Sequence, residues 1–217
     1  MKVRLLVATL ALFCLIVSAS AFADTVLFDD GPTDGFDNGL FIDGPNPGPF
    51  SQSISNGFTA TGSGTATSLD FGLWVPTGLT PTTVSWWLGT SAFGGEISSG
   101  TSAITQFTFH NASGFGYDVY DVHIDGLSGD ITAGQSYWLT LGNANDSGGT
   151  QFDAWDVNFG PATCEFAVGG VEQGDCGTGG GNAFTLNGTT VPEPGTLVML
   201  GGGILAAATT LRRRIGL

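Results

Sequence analysis

The chain has 217 residues, 19 acidic and five basic side chains, and a formal net charge of −14 at pH 7. The region 24–190 holds 18 of the 19 acids and no lysine or arginine, so no ordinary salt bridge can form in it unless His110 or His123 is protonated. This charge excludes nucleic acid and anionic lipid surfaces as partners, whereas divalent cations and cationic partners would be attracted. The five basic residues all lie near the chain ends: Lys2, Arg4, Arg212, Arg213 and Arg214.

The N-terminus has the three regions of a secretory signal peptide. Two basic residues are followed by the apolar stretch 5–17 and by Ala21-Phe22-Ala23, a small-x-small cleavage site. We therefore predict that signal peptidase removes residues 1–23. An uncleaved N-terminal anchor is the alternative.

An acidic, glycine-rich segment follows at residues 29–38. Its carboxylates could wrap a calcium ion, and the speculative ligands are Asp29, Asp30, Asp34 and Asp37. The spacing matches neither the EF-hand nor the nonapeptide calcium repeat. A solvated acidic loop is the alternative, and we predict no cofactor other than this possible calcium.

The region 24–190 has the composition of an all-β domain, because glycine, serine, threonine and aromatic residues are abundant while helix-forming residues are scarce. No window of twelve residues has a convincing helical period. We predict roughly ten strands in a single β-sandwich of jelly-roll type. The clearest strands are predicted at 65–75, 82–88, 104–110, 117–124 and 136–141.

Three patterns predict how the strands are covered. The odd positions of 137–141 form one apolar face, whereas 117–122 mixes apolar and polar residues as in a strand covered on parts of both faces. Adjacent Trp86 and Trp87 must point to opposite faces of a regular strand, so one of them is expected to be exposed. Exposed tryptophans could stack on sugar rings, although most of the five are expected in the core.

The sequence contains no recognisable catalytic constellation, such as a nucleophile elbow or a phosphate-binding loop. His110 and His123 lie in or beside predicted strands, where a packed or surface role is expected. Asp153 and Asp156 flank an aromatic residue and Glu96 stands between glycines, but the spacing selects no facing pair for a glycosidase. We therefore predict no catalytic residue and no enzymatic activity.

Two of the three cysteines remain after removal of the signal peptide, namely Cys164 and Cys176. An even pair in an exported chain predicts a disulfide, which would close a small glycine-rich loop. Two thiolates without a nearby histidine make a poor metal site, so we predict no metal ligand here.

The C-terminus has four features in a fixed order. Val191-Pro192-Glu193-Pro194 holds a carboxylate on a stiff, extended peptide. Residues 195–211 carry no charge and would span about 25 Å as a helix, at the lower limit for a membrane. The basic stop Arg212, Arg213 and Arg214 would remain on the cytoplasmic side.

This order of features resembles the PEP-CTERM sorting signal of Gram-negative bacteria. The resemblance implies recognition by an exosortase, cleavage near residues 192–194, and transient residence in the inner membrane. It further implies export to the cell surface or to the extracellular polysaccharide matrix.

The region 50–158 also resembles a β-domain that recurs in front of such tails and has no established activity. The resemblance is carried by SLDFGLWV at 68–75, GYDVYDV at 116–122, AGQSYWLTL at 133–141 and WD at 155–156.

The predicted organisation is thus a signal peptide at 1–23, a secreted acidic domain at 24–190 and a sorting signal at 191–217. We expect an exported surface or matrix protein that is not an enzyme. The alternative is a carbohydrate-binding module acting on exopolysaccharide, and a secreted hydrolase is the third class considered.

Overall fold

A computed structural model describes residues 24–36, 38–44, 50–149, 152–177 and 179–190, together with Gly201 and Gly203. Three sets of predicted features lie outside these residues: the cleavage site Ala21 and Ala23, the motif 191–194, and the basic stop 212–214. The same holds for all of the predicted membrane segment 195–211 except its two described glycines. Within the described part of the chain, no helix is long and apolar enough to cross a membrane.

The region Asp24–Thr189 is a compact all-β unit, as its composition predicts. Its described residues form fourteen strands: β1 (Asp24–Asp29), β2 (Gly39–Phe41), β3 (Gln52–Thr59), β4 (Gly64–Pro76), β5 (Pro81–Gly89), β6 (Ser98–Ala103), β7 (Gln106–Ala112), β8 (Tyr117–Asp125), β9 (Asp130–Ile131), β10 (Ser136–Asp146), β11 (Ala154–Asp156), β12 (Thr163–Val168), β13 (Val171–Asp175) and β14 (Phe184–Thr189).

The first of the two antiparallel sheets, sheet A, has eight strands organised around the 13-residue strand β4. Along one edge, β4 pairs first with β14 and then with β11. Strand β14 pairs in turn with β1, and β11 pairs with β2. Along the other edge it pairs with β8 and the short β9, and β7 lies outside β8. The second sheet, sheet B, has six strands in the order β13-β12-β3-β10-β5-β6.

The two sheets share one hydrophobic core. Phe28 of sheet A and Phe58 of sheet B lie with ring centroids 4.7 Å apart, and Phe184 packs against both. Burying each such aromatic side chain contributes roughly 2–3 kcal/mol to folding. The largest fully buried side chains are Trp155, Phe184, Leu27, Ile42, Ile54, Leu69, Leu73, Leu88, Ile124, Leu139, Leu141 and Leu186.

The predicted faces of residues 137–141 and 117–122 are confirmed, whereas the exposure predicted for one of the adjacent tryptophans is only partial. Tyr137, Leu139 and Leu141 belong to the core, as their alternation predicts. Strand β8 is covered on both faces, because Tyr120 and Val122 enter the core while Val119 joins a small second cluster on the opposite side. Trp86 is buried in the core, whereas its neighbour Trp87 is only partly buried.

The five predicted strands are present with shifted ends. The strand predicted at 104–110 is observed as β7, which begins at Gln106, because Ile104 is a buried residue in the β6–β7 connection. The strand predicted at 136–141 continues to Asp146 through an irregular pairing after Gly142. We predicted roughly ten strands, and the difference comes mainly from strands of two or three residues such as β2, β9 and β11.

The predicted disulfide between Cys164 and Cys176 is confirmed, with their Cα atoms 5.4 Å apart. It ties β12 to the end of the β12–β13 hairpin at the edge of sheet B. With a sequence separation of 12, the chain-entropy model assigns such a link about 3 kcal/mol.

Candidate functional site

The acidic N-terminal segment crosses the face of sheet A that points away from the core. We call residues 31–36 the strap. The Asp156 carboxylate anchors it, because Oδ2 accepts hydrogen bonds from the backbone N–H groups of Asp34 (2.9 Å) and Gly35 (3.5 Å). The other oxygen accepts the indole N–H of Trp74 at 2.5 Å. The Asn111 side-chain amide also donates to the Asp34 carbonyl at 3.4 Å.

A glycine in the middle of β4 allows this close approach. A Cβ atom at Gly72 would lie 2.8 Å from the Thr33 side chain and 2.7 Å from the Asp156 Cβ. Any larger residue would therefore displace the strap. The segment that suggested a solvated acidic loop or a calcium loop is in large part a structural element packed on the sheet.

The described carboxylates of the speculative calcium set each have separate hydrogen-bond partners and do not converge on one point. Asp29 is exposed and accepts from the Gly31 N–H (2.9 Å) and the Thr185 hydroxyl (3.1 Å). Asp34 accepts from the Phe36 N–H at 2.9 Å. Asp37 lies outside the described residues. Among the residues that are described, no group of three His, Cys, Asp or Glu side chains forms a ready-made metal site.

Asp30, the fourth residue of that set, is directed into the protein and is only 2% exposed. One carboxylate oxygen accepts the Ala162 N–H at 2.6 Å, and the other is buried without a hydrogen-bond partner. Burial raises the pKa of Asp30 to about 7, although the hydrogen bond from Ala162 opposes the shift. Calcium binding by this segment stays a prediction.

On one side of the strap lies a groove of about 480 Å³, lined by both polar and apolar residues, which we call the histidine groove. His123 is held between two carboxylates, with Nδ1 2.6 Å from Asp70 and Nε2 3.2 Å from Asp125. His110 Nδ1 lies 3.0 Å from Asp121. Both histidines therefore form the only kind of ion pair that the composition of this region allows.

The electrostatics of His123 argue against a catalytic base in this groove. Burial alone would lower the pKa of His123, but the hydrogen bonds and charges of Asp70 and Asp125 outweigh burial and raise the pKa. Both ring nitrogens face carboxylates, so neither is open to accept a proton from a substrate in this arrangement.

On the other side of the strap lies an aromatic patch formed by Phe41, Phe50, Trp74, Phe115 and Tyr117. All of these residues except Phe50 line a cavity of about 380 Å³. Phe115 is 71% exposed and stacks over Trp74 with ring centroids 6.4 Å apart. Phe41 and Phe50 stack at 4.4 Å. Trp74 itself is almost fully buried, so the exposed rings of this patch are phenylalanines.

The outer face of sheet B carries a second concave surface, the Trp87 groove, of about 340 Å³. It is lined by Ser53, Trp87, Phe93, Thr140 and Glu172 among others. The Thr140 hydroxyl donates to Ser55 at 2.8 Å, and the Phe93 N–H donates to the same oxygen at 3.2 Å. The lining offers one partly exposed tryptophan ring, a carboxylate and the largely buried hydroxyl groups of Ser53 and Thr140, a combination that suits a sugar.

Glu96 holds the loop that covers this groove. Its Oε1 accepts hydrogen bonds from the Thr90 hydroxyl (2.7 Å) and the Thr90 N–H (2.8 Å). The hydrogen bond from the hydroxyl is the main reason why the pKa of Glu96 falls to about 2. The residue is therefore an anionic loop anchor, which is the reverse of what a general acid requires.

Asp153 and Asp156, the carboxylates beside Trp155, are both fully buried. Asp156 lies under the strap, and burial raises its pKa while its hydrogen bonds with Trp74 and Asp34 oppose the shift. Because both side chains are buried, neither the Asp153 carboxylate nor the Asp156 carboxylate is open to a polymeric substrate. Sequence reasoning identified these residues but had no signal for their burial, which depends on the course of the strap and of the residues around Ile42.

Residues 190–214 match the model of the PEP-CTERM protein-sorting motif. No curated protein matches the chain. The matched residues follow the β-rich region and contain all of the C-terminal features described from the sequence.

Proposed function

We propose that this chain, which carries a PEP-CTERM sorting motif behind a β-rich region, is an exosortase substrate of a Gram-negative bacterium. After export it resides at the cell surface or in the extracellular polysaccharide matrix, where its domain binds rather than catalyses. The match at residues 190–214 is the observation that carries this proposal. The motif supports export and sorting to the cell envelope or surface, and the matrix role goes beyond it.

The proposed route has three steps. Signal peptidase removes residues 1–23 after translocation has begun. The segment 195–211 then holds the chain in the inner membrane, with the basic stop 212–214 on the cytoplasmic side. The exosortase cleaves near residues 192–194 and releases the domain from this short anchor.

Two properties of the domain, its disulfide and its lack of trypsin sites, are compatible with an extracellular location. Its disulfide requires an oxidising compartment. Its region 24–190 has no lysine or arginine, so trypsin-like proteases find no cleavage site there. We take its two sheets to form a single β-sandwich of jelly-roll type, a stable scaffold for a binding surface.

Localisation in paired hosts tests the proposal. In a host with the cognate exosortase, the protein should be found at the surface or in the matrix; in a host without it, the protein should accumulate in the inner membrane. Replacing Pro192, Glu193 and Pro194 by alanine should reproduce that accumulation in the normal host. Asp130→Ala is the matched control, because it removes one exposed acid from β9, outside the described grooves, and leaves the tail intact. Identical localisation in both hosts would refute the proposal.

A second candidate function is carbohydrate binding through the Trp87 groove. It is favoured by the partly exposed Trp87 ring and the hydroxyl groups beside it. With no lysine or arginine in the domain, neutral or amino-sugar polymers suit this surface better than polyanionic ones.

Affinity electrophoresis against neutral, amino-sugar and uronic-acid polysaccharides tests this second candidate. Trp87→Ala should weaken binding by about tenfold, since loss of one stacking ring costs roughly 1 kcal/mol or more. Trp138→Ala is the control, because Trp138 is partly buried in sheet B but does not line the groove. Equal loss in both variants, or binding to none of the polymers, would contradict this function.

A further inference from the structure

Asp153 is the least compensated carboxylate among the described residues. Its side chain is 0% exposed, and neither of its oxygens has a hydrogen-bond partner. Asp156 is equally buried, but its two oxygens accept three hydrogen bonds. A buried carboxylate with no partner is strongly disfavoured, and in proteins such a group is neutralised, paired or bound to a metal.

Main-chain hydrogen bonds place two further acidic residues beside Asp153. The Ile42 N–H donates to the Asp153 carbonyl at 3.0 Å, and the Ala144 N–H donates to the Ile42 carbonyl at 2.9 Å. The segments that contain Asp43 and Asp146 therefore run next to it. Asp43 is 0% exposed and Asp146 is 4% exposed.

The charges of these neighbours act on Asp153. Burial first, and then the charges of Asp146 and Asp43, raise the pKa of Asp153 to about 8. Asp43 is already bonded on both oxygens, to the N–H groups of Phe50 (2.7 Å) and Gln52 (2.8 Å), and Asp146 accepts from the Gly148 N–H at 2.8 Å. A carboxylate oxygen has more than one lone pair, so accepting an N–H group does not by itself prevent it from binding a cation.

The chain has no cationic side chain to offer at this place. The region 24–190 lacks lysine and arginine, and both histidines are paired with other carboxylates on the outer face of sheet A. Three buried acidic residues therefore lie on neighbouring segments of a region that has no lysine or arginine.

We propose that the carboxylates of Asp153 and Asp146 bind a divalent cation, with calcium as the ion whose chemistry fits best. Asp43 contributes negative charge beside them. The side chains do not form a closed set of three ligands, so main-chain carbonyls and water complete the coordination. Calcium accepts six to eight oxygen ligands in irregular geometry, whereas magnesium requires a near-ideal octahedron. Zinc is disfavoured because the proposed side-chain ligands include neither cysteine nor histidine. This site is separate from the strap.

Bound calcium and thermal unfolding of the exported mature protein test the proposal together. After treatment with chelator and dialysis into calcium, elemental analysis should find one calcium per chain. Calcium at about 100 times its dissociation constant should raise Tm by about 5–10 °C. Magnesium at equal ionic strength should raise Tm by much less, because only general screening would act.

Asp153→Asn separates cation binding from simple protonation. The amide has the same shape, so in chelator the variant should be at least as stable as the original protein, while the calcium-dependent rise in Tm should be lost. Asp146→Asn should weaken the rise and is a second variant should Asp153→Asn fail to fold. The double change Asp30→Asn, Asp34→Asn is the matched control and should retain the full rise.

Three outcomes would overturn the proposal. The first is an original protein without bound calcium and with equal Tm shifts in calcium and magnesium, which would mean that Asp153 is protonated. The second is a full calcium response in Asp153→Asn. The third is loss of the response in the Asp30, Asp34 control but not in the Asp153 variant, which would move the site to the strap.

Discussion

Replacing Asp156 should release the strap and destabilise the domain. Asp156→Ala leaves three donors without their acceptor: the Trp74 indole N–H and the N–H groups of Asp34 and Gly35. The first two bonds are short, at 2.5 and 2.9 Å, whereas the bond from Gly35 at 3.5 Å contributes little.

The expected magnitude follows from these bonds and from one opposing effect. Two hydrogen bonds to a charged acceptor are worth roughly 1.5–3 kcal/mol each. Burial raises the pKa of Asp156, so removing its charge returns part of this free energy. We therefore expect a net loss of about 2–4 kcal/mol, which corresponds to a fall in Tm of about 5–15 °C.

Urea unfolding at pH 7, followed by tryptophan fluorescence, measures this loss. Asp156→Asn should cost about half as much, because the amide oxygen can still accept one of the two bonds. Asp130→Ala is the control: Asp130 is exposed and accepts only the Thr65 hydroxyl at 2.9 Å, so its loss should cost less than about 1 kcal/mol.

Amide hydrogen exchange provides the second measurement. In Asp156→Ala the amides of Asp34 and Gly35 should exchange much faster, while those of the β4–β14 pairing should change little. This reasoning would be refuted if the free energy of unfolding of Asp156→Ala lay within about 0.5 kcal/mol of the original value. It would also be refuted if the amides of Asp34 and Gly35 kept their protection from exchange.

Two further predictions concern pH and the disulfide. Because burial raises the pKa of Asp30 to about 7, the folded state binds a proton between about pH 4 and 7 that the unfolded chain has released, so this residue makes stability fall as pH rises through that window. Urea midpoints in chelator should show a shallower fall for Asp30→Asn, and an unchanged pH profile would contradict the assignment. Mature protein should contain no free thiol before reduction, and replacing both Cys164 and Cys176 by serine should cost about 3 kcal/mol. Two titratable thiols in protein from the native exported fraction would rule the disulfide out.

The sequence predicted the parts of the fold that depend on local pattern. Alternation in 137–141 and the adjacent tryptophans at 86 and 87 identified the buried faces, because a strand turns successive side chains to opposite sides. The strands β2 and β11 were missed because three residues carry no periodic signal. Their pairing is fixed by the partner strands rather than by their own composition.

The candidate sites depend on contacts between distant parts of the chain. Asp34 and Asp156 are 122 residues apart, and nothing in the acidic segment indicates that it packs on Gly72. Asp153 was noticed only as a possible catalytic carboxylate, because the proximity of Asp43 and Asp146 arises from the order of the folded segments. By contrast, the pairing of both histidines with carboxylates was foreseeable, since the region offers no other cation.

Intact mass spectrometry of the protein recovered from the surface or matrix of its exosortase-containing host tests the central claim most directly. Sorting predicts a chain that begins at Asp24, ends near residues 192–194 and lacks Arg212 to Arg214. A full-length chain, or one that retains the basic stop and remains in the inner membrane of that host, would contradict the claim.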